Sequence, residues 1–169
     1  MKKVRFACWR GRDKIKNFTD ILKIVRNAQK RGLRVVTTNG VFDLLHVGHI
    51  RNLEKAKSLG DLLLVGVNSD KSVKLFKSKD RPIVPQRNRA EVVAALSCVD
   101  YVFIFGGRDP RRWLSKIKNN IHVKGQDRKI SEIVEKEVVE NNGGKIVLLP
   151  IIKNKSTTKL INAVLEKHS

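Results

Sequence analysis

Cysteine is nearly absent from this chain of 169 residues: Cys8 and Cys98 are the only two, and they lie far apart, outside any C-x-x-C pair. That spacing excludes a zinc motif and a disulfide framework and suits a reducing cytosol. Cys98 falls in an apolar helical stretch, where it reads as a small core residue. Aromatic residues make up only 5% of the chain against 41% hydrophobic overall, so the core is expected to be aliphatic. Acidic residues are also scarce. Asp and Glu number 16 against 36 Lys and Arg, a net charge of +20. Such a field attracts polyanions: nucleic acid, acidic lipid or nucleotide polyphosphate. The basic residues form no single tract, and a solvated lysine-rich surface describes them as well. No run approaches the roughly 18 apolar residues of a membrane-spanning helix. The apolar stretch Val4 to Trp9 is broken by Arg5 and too short for a secretory signal core. A cytoplasmic protein without membrane insertion is therefore expected. Two familiar phosphate fingerprints are missing as well: there is no G-x-x-x-x-G-K-[ST], and no G-x-G-x-x-G after the first strand.

What is present is a regular alternation. Residues 1–16 form a basic N-terminal extension without a clear period, and residues 17–169 read as one domain. Asn17 can cap a helix in which Phe18, Ile21, Leu22, Val25 and Ala28 recur at helical spacing, ended by Gly32. Strands are expected at Leu33–Thr38, Asp61–Val67, Tyr101–Phe105, Ile121–Lys124 and Lys145–Leu149. Helices are expected at His46–Leu59, after Pro85, from Pro110 through Ile117, at Ile130–Asn141, and from a cap at Ser156 with Leu160, Ile161, Val164 and Leu165 inward. The Lys-rich stretch Ser69–Arg81 reads as a loop with a short helix. This pattern predicts an α/β fold: a single Rossmann-like domain with a mainly parallel sheet and helices on both faces. Ligands in such folds bind at the carboxyl ends of the strands, at the topological switch point.

The turn after the first strand, Thr37 to His49, is the expected phosphate position, with Asn39 and Gly40 at its start. A helix start offers free backbone N–H groups and the positive end of the dipole. His46 and His49 are three residues apart, on one helix face. Gly48 between them lets a ligand approach the backbone. Two imidazole donors and a helix N-terminus make an anion site without lysine. Zinc ligation fits less well, because no third ligand is evident, and no metal ligands are assigned.

Gly40-Val41-Phe42-Asp43-Leu44-Leu45-His46-Val47-Gly48-His49 resembles the G-x-F-D-x-x-H-x-G-H signature of the cytidylyltransferase-like nucleotidyltransferases. Leu59-Gly60-Asp61, Gly66 to Asp70, Arg81-Pro82, Arg89-Ala90-Glu91-Val92 and Cys98 to Val102 are similar to the adenylyltransferases that activate D-glycero-D-manno-heptose 1-phosphate. Val123-Lys124-Gly125-Gln126-Asp127 and Ser156-Thr157-Thr158 extend the likeness, which covers roughly residues 17–165 in order.

The resemblance implies catalytic roles for His46 and His49 on the triphosphate, and for Lys77 on a mobile loop that closes over it. It implies nucleotide contacts from Asn39, Gly40, the main chain of Val41 and Phe42, and Gly48, with Asp43 ordering the turn. Arg89 aligns with a helix arginine of the family motif. Ser156, Thr157 and Thr158 would offer hydroxyls and amides to the phosphates, and Lys124, Gly125 and Asp127 would lie near the base or acceptor. The implied reaction is in-line attack of an acceptor phosphate on the α-phosphorus, with magnesium accompanying the nucleotide and pyrophosphate leaving. The implied partners are ATP or CTP and a phosphorylated small-molecule acceptor, and a homodimer is expected.

Three features depart from the heptose-type pattern: Gly106-Gly107-Arg108-Asp109-Pro110 replaces an acidic stretch, Asn154-Lys155 replaces Gly-Tyr, and Arg128 replaces Tyr. These leave the acceptor open. ATP and a sugar phosphate are favoured, with cytidylyl transfer to a polyol or alcohol phosphate as the alternative. A nucleic-acid-binding protein on the same scaffold is the reading from another class. The +20 charge favours it, and the intact H-x-G-H opposes it.

Overall fold

The computed structural model describes residues 11–107, 109–126, 130–150 and 157–168. Its elements alternate as the hydropathy pattern predicts. Helix α1 spans Phe18–Lys30, strand β1 Val35–Gly40, α2 Val47–Lys57 and β2 Leu62–Asn68. The short α3 (Asp70–Lys74) and α4 (Gln86–Ala94) precede β3 (Tyr101–Phe105). Then follow α5 (Arg111–Leu114), β4 (Ile121–Gly125), α6 (Lys136–Asn141), β5 (Lys145–Leu149) and α7 (Thr157–His168). The five strands are all parallel, in the order β3-β2-β1-β4-β5. No helix among the described residues is long and apolar enough to cross a membrane.

Strand periodicity divides the core in two. In β2, Leu63, Val65 and Val67 face one layer, which they share with Leu53 and Ala56 of α2 and with Ala90, Val93 and Ala94 of α4. Leu64 faces the other layer, with Ile21 and Val25 of α1, Phe103 and Phe105 of β3, and Trp113 and Leu114. Alternation along a strand sends neighbours to opposite faces. Because both faces are covered, the strand reads as an unbroken apolar run. Each fully buried aliphatic side chain contributes about 1.5–3 kcal/mol. Gly66 keeps β2 close to its neighbour, since a Cβ there would lie 3.2 Å from the Phe105 ring.

Several boundaries differ from expectation. β1 starts and ends two residues later than the apolar run suggests, carrying Asn39 and Gly40 into the sheet. The helix after Pro110 stops at Leu114 rather than Ile117. The stretch expected as one helix from Ile130 to Asn141 is broken into a 3-10 turn at Ile130–Glu132 and α6. Buried Ile133 and Glu135 both line a cleft, and a continuous helix would turn one of them away. Helix α7 forms, but Leu160, Val164 and Leu165 are exposed rather than inward. It follows the edge strand β5, and at its first residue Thr157 Oγ1 donates to the Leu44 carbonyl at 3.2 Å.

Part of the basic extension belongs to the fold. Ile15 bridges Val102 on the outer edge of β3, and the Lys16 amide donates to the Val102 carbonyl at 2.9 Å. Lys14 Nζ donates to the carbonyls of Leu96 and Val99 at 3.1 and 2.8 Å, just beyond α4. A cation suits the carbonyl-rich end of a helix.

Candidate active site

The strand order reverses between β1 and β4, whose carboxyl ends diverge there. A cleft of about 910 Å³ opens at that point, lined by Thr38 to Val41, Lys77, Asp109 to Arg111, Lys124, Gly125 and Ile133 to Glu135. A smaller recess of about 200 Å³ shares the β1 and β4 ends and reaches His49.

The chain leaves β1 through a constrained turn. Phe42 adopts a φ of 51°, unusual for a residue with a side chain. Its ring is buried, packs on His49 at a centroid distance of 5.4 Å, and approaches Gly40 so closely that a Cβ there would sit 3.0 Å away. Asp43 holds the turn from behind. Its buried carboxylate accepts from Arg81 Nε at 2.7 Å, from the Ile83 amide at 3.1 Å and from the Val84 amide at 2.9 Å. Burial pushes its pKa up, but the Val84 and Ile83 amides and Arg81 outweigh that and hold the carboxyl below its ordinary value.

Helix α2 then begins at the two histidines. His46 is the extended N-cap residue, and its Nδ1 accepts from the Gly48 amide at 3.1 Å. The His46 amide donates back to His49 Nδ1 at 3.4 Å. The arrangement is a capping box in which imidazoles replace the usual hydroxyl and carboxylate. The rings stack at 3.9 Å. Because each Nδ1 accepts, each neutral ring carries its proton on Nε2. Burial, and then the charge of His46, lower the His49 pKa to about 4, so His49 is a neutral donor at pH 7. The two rings stand beside the first turn of an eleven-residue helix, where free amides and the helix dipole favour an anion.

Residues 37–163 match the cytidylyltransferase-like family. This chain belongs to the cytidylyltransferase-like family of nucleotidyltransferases. It is 46% identical over 157 residues to the bifunctional protein HldE of Pelobacter propionicus, covering 92% of this chain and 32% of that protein. The HldE of Geobacter metallireducens is 43% identical over 155 residues, covering 92% of this chain and 32% of its own length. The chain thus spans about a third of these curated relatives. A solved structure, a lipopolysaccharide core biosynthesis protein of Thermoplasma volcanium, matches with a TM-score of 0.61 at 29% identity, over 73% of this chain and all of that one.

The family-implied residues divide by position. Asn39, Gly40, Val41, Lys77, Lys124 and Gly125 line the larger cleft, and Lys77 is exposed there. Phe42 and His49 line the recess, and Gly48 is buried within the cap. Arg89 lies beneath the site instead. Its side chain is fully buried, with Nε on the Val84 carbonyl at 2.8 Å and Nη2 on the Asn68 carbonyl at 2.8 Å and Asp70 Oδ1 at 2.7 Å. Its Nη1 donates to the Val41 carbonyl, so it holds a cleft wall from below. Thr157 stands against the turn before His46, and Thr158 is exposed. Asp127 and Ser156 lie outside the described residues.

Two contributors escape sequence reasoning. Arg81 is the partner of Asp43, whereas the resemblance that includes Arg81-Pro82 assigns it no role. Glu135, hidden in an apparent helical run, is a buried carboxylate in the cleft wall. Among the described residues, no group of three or more His, Cys, Asp or Glu could hold a metal ion.

Proposed function

We propose that this chain transfers AMP from ATP to a sugar phosphate of the heptose 1-phosphate type, releasing pyrophosphate, with the Mg–ATP complex as substrate. The observation that carries the reading is the reciprocal His46–His49 cap at the start of α2, beside the cleft between β1 and β4. The similarity to HldE and to a lipopolysaccharide core biosynthesis protein supports a place in nucleotide-sugar formation.

The chemistry needs no protein nucleophile. An acceptor phosphate oxygen attacks the α-phosphorus, the bond to the β-phosphate bridging oxygen breaks, and the electron pair leaves with pyrophosphate. The protein aligns the reactants and stabilises the charge on the leaving group. His46 and His49 donate from Nε2 to the triphosphate, the α2 amides add their dipole, and Lys77 supplies a mobile positive charge. The paired Lys124 faces the acceptor side. Removing one donor of this kind costs on the order of 10²–10³ in rate.

Pyrophosphate release measured with Mg–ATP and Mg–CTP across heptose, hexose and polyol phosphates tests the reading. Turnover with ATP and a sugar 1-phosphate is expected. Turnover with CTP and a polyol phosphate alone would replace it with the cytidylyl alternative, and no turnover with any pair would overturn the transfer itself.

A further inference from the structure

Glu135 is 4% exposed and stands at the start of α6 without capping it. Its Oε1 accepts from Lys124 Nζ at 2.5 Å. The same ammonium donates to Asn39 Oδ1 at 3.2 Å, so it bridges the carboxyl ends of β1 and β4 while Glu135 holds it in place. Withdrawing a carboxylate from water is costly, and a buried ion pair is weak evidence of a purely stabilising role. Lys124 bonds one of its two oxygens, and Glu135 is part of the lining of the cleft.

A second pair continues this wall. Asp109 takes a forked contact from Arg111, with Nε at 3.0 Å and Nη2 at 2.8 Å. The two pairs sense each other: the Arg111 hydrogen bond chiefly lowers the Asp109 pKa and Lys124 adds to it, while Asp109 chiefly raises that of Arg111 and Glu135 adds to it. Cations and carboxylates therefore alternate along this side of the cleft. The His46–His49 end offers only donors to an anion. A wall of both kinds matches hydroxyl groups, which donate and accept together.

We propose that Glu135 is a specificity-determining residue: Oε1 fixes Lys124 against Asn39, and Oε2 accepts a hydrogen bond from a hydroxyl of the acceptor. The acceptor class is then a polyhydroxylated phosphate ester rather than a simple alkyl phosphate. The assignment rests on the nucleotidyl-transfer reading. A site built to hydrogen-bond a hydroxyl rejects an analogue lacking it, and about 10–10²-fold is expected for one partly open carboxylate.

The test compares the wild type, Glu135→Ala and Glu135→Gln with Mg–ATP, D-glycero-D-manno-heptose 1-phosphate and its monodeoxy analogues. Mg–ATP affinity is measured separately by calorimetry. The wild type should lose about 10–10²-fold in kcat/KM on one deoxy analogue. Glu135→Ala should lose as much on the parent acceptor, mainly in KM, and should no longer distinguish it from that analogue. Glu135→Gln, which keeps the packing and can still pair with a hydroxyl but loses the charge that holds Lys124, should retain more of the discrimination than Glu135→Ala. Mg–ATP affinity should stay within about twofold in both variants. Retained discrimination in Glu135→Ala, or a fall in stability and ATP affinity with unchanged acceptor selectivity, overturns the assignment and leaves a structural ion pair. Absence of turnover in the wild type overturns the transfer reading and this assignment with it, and is distinguished by arising before any substitution.

Discussion

His46 and His49 cap the same helix start through each other's segment: the Gly48 amide donates to His46 Nδ1, the His46 amide donates to His49 Nδ1, and the rings stack at 3.9 Å. The residues proposed to hold the triphosphate are thus also the cap of the helix. His46→Ala and His49→Ala should each lower turnover on the order of 10²-fold or more. Each should also cost about 1 kcal/mol of stability, the usual value of an N-cap. Urea unfolding and steady-state rates measured on the same preparations check this. Turnover that falls only in proportion to the unfolded fraction would make the pair purely structural.

The depressed His49 pKa sets a pH dependence. Folded His49 titrates near 4 against an ordinary 6.5, so in that window the unfolded chain binds more protons. Stability from neutral His49 is complete above pH 6.5 and is lost as pH falls toward 4. Buried His122, whose pKa burial also drives well below the ordinary value, acts in the same direction. Denaturant unfolding between pH 4.5 and 6.5 should give a shallower rise of stability with pH in His49→Asn than in the wild type, by at most about 1.4 kcal/mol per pH unit. Identical slopes would contradict the assignment.

Asp43 ties the turn before α2 to residues 81–84 through three hydrogen bonds. Asp43→Ala leaves Arg81 and two amides without their acceptor. A loss of about 3–5 kcal/mol is expected, typical of breaking a buried ion pair. Thermal and urea unfolding would measure it; a change below about 1 kcal/mol would mean that the bonds to Asp43 are readily replaced by water.

Lys77 and Arg89 should separate activity from stability. Lys77 is exposed in the cleft, so Lys77→Ala should leave stability within about 0.5 kcal/mol while turnover falls at least about tenfold. Arg89 is buried under Val41 and Asn68, and lysine cannot reproduce its forked contacts. Arg89→Lys should lower the midpoint of unfolding first and activity only as a consequence. Unchanged stability in Arg89→Lys, with impaired Mg–ATP binding, would assign Arg89 to the ligand instead.

Gly40→Ala probes the close approach behind the cleft. The new Cβ would meet the Phe42 ring at 3.0 Å, and that ring is buried against His49. Overpacking of this kind costs about 1–3 kcal/mol. Melting temperature and Mg–ATP affinity should fall together, and an unaltered affinity would show that Phe42 can yield without disturbing His49.

Much of the fold was legible because its signals are local. The apolar runs at Tyr101–Phe105 and Lys145–Leu149 coincide with β3 and β5, since strands covered on both faces must be apolar throughout. Asn17 caps α1 by accepting from the Asp20 amide at 2.9 Å, as its position before an amphipathic run predicts. The Ile130–Asn141 stretch was not legible, because its helical spacing competes with the burial of Ile133 and Glu135 in a cleft wall built by distant strands. The exposed side of α7 was hidden for a related reason: apolar spacing shows that a face exists, not that anything covers it.

The sequence by itself determined the alternating α/β architecture and the placing of His46, Gly48 and His49 at a helix start, because periodicity and capping act between near neighbours. Only the tertiary structure decided that Arg81 would hold Asp43, that Arg89 would support the cleft from beneath, and that Lys124 would bridge Asn39 and Glu135. Those partners lie 11 to 85 positions apart, and their meeting depends on how parallel strands stack rather than on local spacing.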